Sequence, residues 1–296
     1  MTKRGWILFL TLSVLWGIPY FMIRIAVRQL DPATLVFART FPAAVLLMPL
    51  AIQRKVLGTL RNKWGWLLAF SVIEFGIPWF LMGSSERHLS SSLTGLMVAS
   101  VPLGSITLTK LLHPSERIHA RRILGLAVGS VGVVTLVGLD VHGGSLLWIG
   151  AMLIVVTGYA CGPMILALRL HEASGLAVVA SSVSIVALAY LPWGVSHWPA
   201  HLKIETWLSV AGLSMLCTVA AFLVFFALIQ EVGPSRGTVI TYFNTAVAVV
   251  LGTLVLHEPL TTGILIGFPL IIVGSVFATS QARSAQARPE LSSRSN

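Results

Sequence analysis

Glu116–Val134 reads ERIHARRILGLAVGSVGVV, and Glu258–Val276 reads EPLTTGILIGFPLIIVGSV. Glu116 matches Glu258, Gly125 matches Gly267 and Gly132 matches Gly274, each pair 142 positions apart. In both stretches the glutamate precedes an apolar run long enough to cross a bilayer. The two stretches are the same element in two copies, so the chain is read as an internal repeat. The copies are expected at residues 1–138 and 139–280.

Working outward from these two stretches, the apolar runs number ten. They fall at roughly 6–25, 33–52, 64–83, 89–111, 118–138, 146–168, 174–193, 205–229, 235–256 and 260–279. The runs are continuous rather than alternating, which excludes the strands of a membrane barrel. Composition agrees: 56% of the 296 residues are hydrophobic and only 10% are charged, so a soluble domain lacks the polar residues to cover itself. Mean hydropathy is +0.88. Lys3 and Arg4 precede the first run as in a signal peptide, but the run is too long and lacks a small-residue cleavage site. It is read as the first span. The stretch 281–296, rich in Ser, Ala and Arg, is expected to be a disordered cytoplasmic tail.

Five spans per copy is an odd number, so the second copy enters the membrane upside down. The expected fold is an all-α membrane protein of ten transmembrane helices in two inverted five-helix repeats. Such repeats place a site near the midplane between the halves and permit two related states, one open to each side. Orientation follows from the basic residues. With the N-terminus inside, fifteen Lys and Arg lie in cytoplasmic segments, four (Arg24, Arg28, Arg87, Lys203) lie opposite, and Arg39 lies within a span. Both termini are therefore expected in the cytoplasm. The net charge of +10 is read as loop charge facing anionic lipid, not as a nucleic-acid surface. Trp6, Trp64, Trp66, Trp148, Trp193, Trp198 and Trp207 stand at span ends, where indole prefers the interface.

The order of features across the two copies resembles the EamA-type ten-span carriers of the drug/metabolite transporter superfamily. The resemblance covers about residues 5–280. It rests on Trp16-Gly17, Arg24, Arg39, SERHLSSSLTGLMVASVPL at Ser85–Leu103, and the paired loop glutamates Glu116 and Glu258. The second copy departs from the first, with Tyr159-Ala160 for Trp16-Gly17 and Thr245 for Pro102, and Glu74 is not part of the pattern. The resemblance implies a bacterial inner-membrane carrier, usually an exporter of amino acids or other small metabolites.

Two ionisable residues stand clearly at membrane depth, Arg39 in span two and Glu74 in span three. Charge there is costly and usually functional. One reading has Glu74 binding a substrate amine or a proton while Arg39 holds it; another is a fixed ion pair between helices. Trp16, Tyr20, Trp79, Tyr159, Tyr242 and Asn244 are the candidate aromatic and polar handles of an otherwise apolar pocket. Glu116 and Glu258 are read as caps of the helices they precede, and the glycines at 125, 129, 132, 263, 267 and 274 as close-packing positions. Pro19, Pro78, Pro102 and Pro163 lie within spans, where they can break helical bonding or simply kink the helix. Cys161 and Cys217 are buried small residues without metal or redox spacing.

All eight histidines fall in loops or at span ends, no Gly-x-Ser-x-Gly elbow occurs and there is no P-loop. The reading is therefore a secondary carrier without cofactor. Its partners are a small-molecule substrate, the lipid bilayer and, as a candidate coupling ion, the proton. Neither nucleic acid nor an oligomeric state is assigned. The alternatives are a permease for lipid or lipid-linked substrates and, further off, an intramembrane transferase.

Overall fold

A computed structural model describes residues 2–112, 120–140, 146–232 and 240–279. The expected tail, the Glu116 loop and His142 lie outside these residues. The described chain is helical throughout its spans, and we number the spans α1–α10. They are α1 (Lys3–Ala26), α2 (Pro32–Gln53), α3 (Trp64–Ser85), α4 (Ser91–Val98 and Val101–Leu112), α5 (Ala120–Asp140), α6 (Leu146–Arg169), α7 (Gly175–Ser196), α8 (204–232), α9 (Ile240–Val255) and α10 (Thr262–Thr279). Seven are both long and apolar enough to cross a membrane, and shorter apolar stretches complete α5, α9 and α10.

Start signals behave as their chemistry dictates. Asp31 caps α2, accepting from Ala33 N (3.0 Å) and Thr34 N (3.1 Å), with Pro32 at the first helical position. Ser90 caps α4 through its hydroxyl, which accepts from Leu93 N at 3.1 Å. Proline explains two interruptions. Pro78 has no N–H to give the Glu74 carbonyl, and the turn before it widens to a π-helix over Ser71–Gly76. Pro102 cannot donate to Val98, and α4 breaks at Ala99–Ser100 just ahead of it. Pro19 and Pro163 are carried inside intact helices.

The halves pack in equivalent pairs. α5 lies on α10, and α2 lies on α7. α1 packs on α8 and α9, as α6 packs on α3 and α4. α2 meets the π-helical stretch of α8 (Gly212–Ala220), as α7 meets that of α3. Exchanging the halves reproduces these contacts, which is the signature of two inverted five-helix repeats. The α5–α10 seam is a backbone contact: a Cβ on Gly132 would stand 2.8 Å from Ile271 N, and one on Gly267 would stand 2.8 Å from Gly132 O. The repeated glycines are there for this approach.

Contacts also define two ends. One end carries Thr2, Lys63, Glu172 and Glu231, where Lys63 Nζ lies 2.6 Å from Glu172 Oε2 and Thr2 Oγ1 donates to Glu231 at 2.6 Å. The other, here the far end, carries Gln29, Asp31, Glu86, Trp193, Lys203 and Glu258.

Candidate functional site

Arg39 sits in the second and third turns of α2 and is 6% exposed. Its guanidinium carbon lies 3.6 Å from the centroid of the Trp79 ring, and its Nε donates to Thr218 Oγ1 at 3.1 Å. Thr218 is held in turn by bonding back to Leu213 O at 2.8 Å, across the wide turn of the α8 π-helix. The cation thus rests on an indole face of α3 and a hydroxyl of α8, so all three helices fix its position.

From Trp79 a row of rings runs toward α1. Trp79 meets Phe75 edge-on at 5.0 Å, Phe75 meets Phe222 at 5.7 Å, and Phe222 meets Trp16 at 5.9 Å. Phe225 closes on Trp16 at 5.2 Å. Edge-to-face geometry of this kind is preferred between aromatic quadrupoles. Tyr159, on α6, lies beside Trp79 and within electrostatic reach of both Glu74 and Arg39. Tyr20 is buried on α1 and lies within reach of Tyr159 and Arg39.

Glu74 is not held by Arg39. No ion pair joins them, and the Glu74 carboxylate is turned instead against α6. Its Oε2 is buried without a hydrogen-bond partner and touches Gly162, where a Cβ would collide with it. Glu74 lies within the π-helical turn Ser71–Gly76, whose wider register sets its direction. The ion-pair reading of the sequence is therefore corrected, and neither side chain has a partner of opposite sign.

Tyr242 and Asn244 are buried on α9, which packs along α1 and α4. Asn244 O lies against Gly17, and its Oδ1 accepts from Thr245 Oγ1 at 3.3 Å. The structure thus gathers Trp16, Tyr20, Arg39, Glu74, Trp79 and Tyr159 around α1, α2, α3 and α6, while Tyr242 and Asn244 lie along the adjoining α1–α9 seam. Phe75, Phe222, Phe225 and Thr218 were not singled out in the sequence. The spacing of Phe75 and Trp79, one helical turn apart, was the available signal for the first of them.

Glu258 is also corrected. It does not cap α10, the helix it precedes. Its carboxylate accepts from the N–H groups of Ser91 (2.8 Å) and Ser92 (3.0 Å) and from their hydroxyls (3.1 and 2.6 Å), at the start of α4 in the other half. His257, with φ at 56°, reverses the chain after α9 and turns Glu258 back.

At the far end a cavity of about 500 Å³ opens between α2, α3, α6 and α7, lined by Asp31, Phe80, Ser84, Arg87, His88, Trp148 and Trp193 among others. His88 stacks on Trp148 at 4.1 Å, and Trp193 Nε1 donates to Asp31 Oδ1 at 2.8 Å. Burial pushes the Asp31 carboxyl up, but hydrogen bonds from Thr34, Trp193 and the Ala33 N–H outweigh it and hold its pKa below the ordinary aspartate value.

The comparisons fit this geometry. The EamA-like transporter family matches twice, over residues 3–138 and 146–280. The Escherichia coli K12 "Uncharacterized inner membrane transporter YedA" is 26% identical over 266 residues, covering 82% of this chain and 79% of that protein. A "Probable amino-acid metabolite efflux pump" of the same strain is 21% identical over 93% of this chain and 94% of its own length. A solved crystal structure superposes with a TM-score of 0.65 at 17% identity, covering 97% of this chain and 100% of its own, and so shares the fold. This chain belongs to the EamA-like transporter family: it is a multi-pass bacterial inner-membrane protein, and a secondary transporter of small metabolites rather than an enzyme.

Proposed function

We propose that the chain exports amino acids or closely related amine-bearing metabolites by alternating access between its two halves, 1–138 and 139–280. The observation that carries this reading is the arrangement of Arg39 and Glu74. Both are sequestered around the same aromatic centre, both lie near Tyr159, and neither neutralises the other. A buried acid and a buried base, each without an opposite partner, are costly at membrane depth unless a ligand completes them. An amino-acid zwitterion does so: its carboxylate pairs with the Arg39 guanidinium and its ammonium with the Glu74 carboxylate. The Trp79 and Phe75 rings take the apolar side chain, and a proton is the alternative occupant of Glu74. Trp16, Tyr20 and Tyr159 line the same path, with Tyr242 and Asn244 at its α9 side. The efflux-pump relative supports amino-acid metabolites as the substrate class.

We infer cytoplasmic termini from the excess of basic residues at the end carrying Lys3, Lys63 and Arg169. The far end is then periplasmic. The test is exchange of labelled amino acids and amines in proteoliposomes, with and without a pH gradient. Glu74→Gln is expected to abolish exchange of substrates bearing an amine. Arg39→Gln is expected to abolish exchange of those bearing a carboxylate while sparing simple amines. Wild-type protein exchanging neither class, or both variants working normally, would overturn the reading.

A further inference from the structure

Glu86 closes the last turn of α3 at the far end, outside the Arg39–Trp79 centre, and is completely buried. Neither of its carboxyl oxygens meets a hydrogen-bond donor of the protein. Three groups act on it. Arg24, on α1, donates from Nη1 to the Glu86 main-chain oxygen and not to the carboxylate. Tyr20, one turn earlier on α1, faces it from the same helix. Glu258, on the α9–α10 connection, lies within electrostatic reach of it. The neighbouring cations are engaged elsewhere: Arg87 donates to Leu30 O at 2.9 Å, and the His88 ring bonds Ser84 O at 3.2 Å while stacking on Trp148.

Of the two carboxyl groups, Glu258 is the one surrounded by donors. It accepts four hydrogen bonds at the start of α4, where an anion is favoured, and a group that only accepts suits that role. A second negative charge beside it, dry and without donors, is strongly disfavoured. Burial and the neighbouring Glu258 therefore favour the protonated form of the Glu86 carboxyl.

Glu258 belongs to the second half and Ser91 and Ser92 to the first, so this contact ties the halves together at the far end. We propose that Glu86 is a proton-binding site, and that giving up its proton unfastens the Glu258 contact with Ser91 and Ser92. The proton leaves to water at that end. The carboxylate that remains repels Glu258 and needs solvation, and separating the halves there relieves both. Protonated Glu86 thus goes with a closed far end, and ionised Glu86 with an open one. The inference does not depend on the substrate, on Glu74 or on which way the chain faces.

The test uses the full chain in lipid nanodiscs, with spin labels on cysteines replacing Arg28 and Leu260, which are exposed at the far end of opposite halves, in a Cys161→Ala, Cys217→Ala background. The inter-label distance is read from about pH 5 to about pH 9, above the range of an exposed carboxyl, because burial raises the Glu86 carboxyl. The wild type is expected to shift toward longer distances as pH rises. Glu86→Gln should stay short at every pH. Glu86→Gln should also melt with the wild type at low pH and above it at high pH, since it lacks the charge that opens the structure. A Glu86→Gln variant that titrates like the wild type, or melts lower at all pH values, would overturn the proposal, because Glu86 would then be an ionised partner of Arg24. Should Glu86→Gln fail to fold, the infrared spectrum of Glu74→Gln decides. A protonated carboxyl carbonyl band that fades as pH rises supports the site, and its absence refutes it.

Discussion

Arg39 is a buried cation whose neighbours are an indole face and a hydroxyl, and that pairing suits a guanidinium far better than an ammonium. A planar, weakly hydrated group can lie flat over Trp79 and still donate from Nε to Thr218. Lysine reaches the ring or the hydroxyl but not both. Arg39→Lys is therefore expected to lower unfolding free energy by about 1–2 kcal/mol, through the weakened cation–π contact and the lost hydrogen bond. Reversible unfolding in mixed micelles measures this, and unchanged stability would mean that the contact carries no energy. At this scale the sequence showed which residues stood at membrane depth, because a charge inside an apolar run is unmistakable. It did not show their partners. Side-chain direction depends on helical register, and Glu74, inside the π-helical turn at Ser71–Gly76, lies against Gly162. Glu86 went unremarked for a related reason: three residues past the run at 64–83 it reads as a loop acid, and only packing shows that it is wholly buried.

The ten apolar runs were legible to within a few residues because length and hydropathy alone set a span; the run expected at 64–83, for example, is Trp64–Ser85. The interruptions inside spans were only half legible. Pro78 and Pro102 announce theirs, whereas Gly212–Ala220 contains no proline and its π-helical form leaves no local mark. The α3–α6 seam offers a test that separates packing from function. A Cβ on Gly158 would stand 2.6 Å from Ile73 O, a main-chain atom that cannot yield, while one on Gly162 would strike the Glu74 carboxylate, which can swing away. Gly158→Ala is expected to destabilise the protein by about 1–3 kcal/mol, as overpacking does. Gly162→Ala should cost less stability but lose most of its transport, and equal effects of both on stability and transport would refute the distinction. At the start of α2, Asp31→Ala should cost about 1 kcal/mol through loss of the cap, and Asp31→Asn much less. Because the Asp31 pKa lies below its ordinary value, the ionic part of this contribution is fully present above the ordinary aspartate range. It is lost as pH falls through the lowered pKa. The Asp31→Ala penalty should therefore shrink in acid.

At the scale of the whole molecule the repeat was legible because two copies of one element survive in the sequence, but the contacts between the copies were not. Such contacts join residues far apart in the chain, as Glu258 joins Ser91. They occur at both ends of the structure. At the far end Gln29 Oε1 accepts from Lys203 N (2.9 Å) and Thr206 Oγ1 (2.7 Å). At the opposite end Lys63 pairs with Glu172, Ser174 N donates to Thr59 Oγ1 at 3.0 Å, and Arg169 lies 4.7 Å from the Trp66 ring centroid. Alternating access requires one set to part while the other holds. The Lys63–Glu172 pair is suited to parting: Glu172 is exposed, so the attraction is modest and salt screens it. Lys63→Glu is therefore expected to leave the fold intact but shift the population toward separation of the α2–α3 and α6–α7 connections. Glu172→Lys should do the same, and the double reversal should restore the wild-type distribution. Spin labels at Gly58 and His171 would report the distance. The hydrogen bond and charge of Lys63 hold the Glu172 carboxyl below its ordinary pKa. The pair thus persists above the ordinary glutamate range and is lost as pH falls through the lowered value. Acid should part this end in the wild type and not in Glu172→Gln, where the charge is already gone. At the far end alkali is the opening condition and Glu86 the group that responds. Opposite pH responses at the two ends, each removed by its own single substitution, would show that the ends are released independently. A response at both ends removed by either substitution alone would instead mean that the halves move as rigid bodies about one axis.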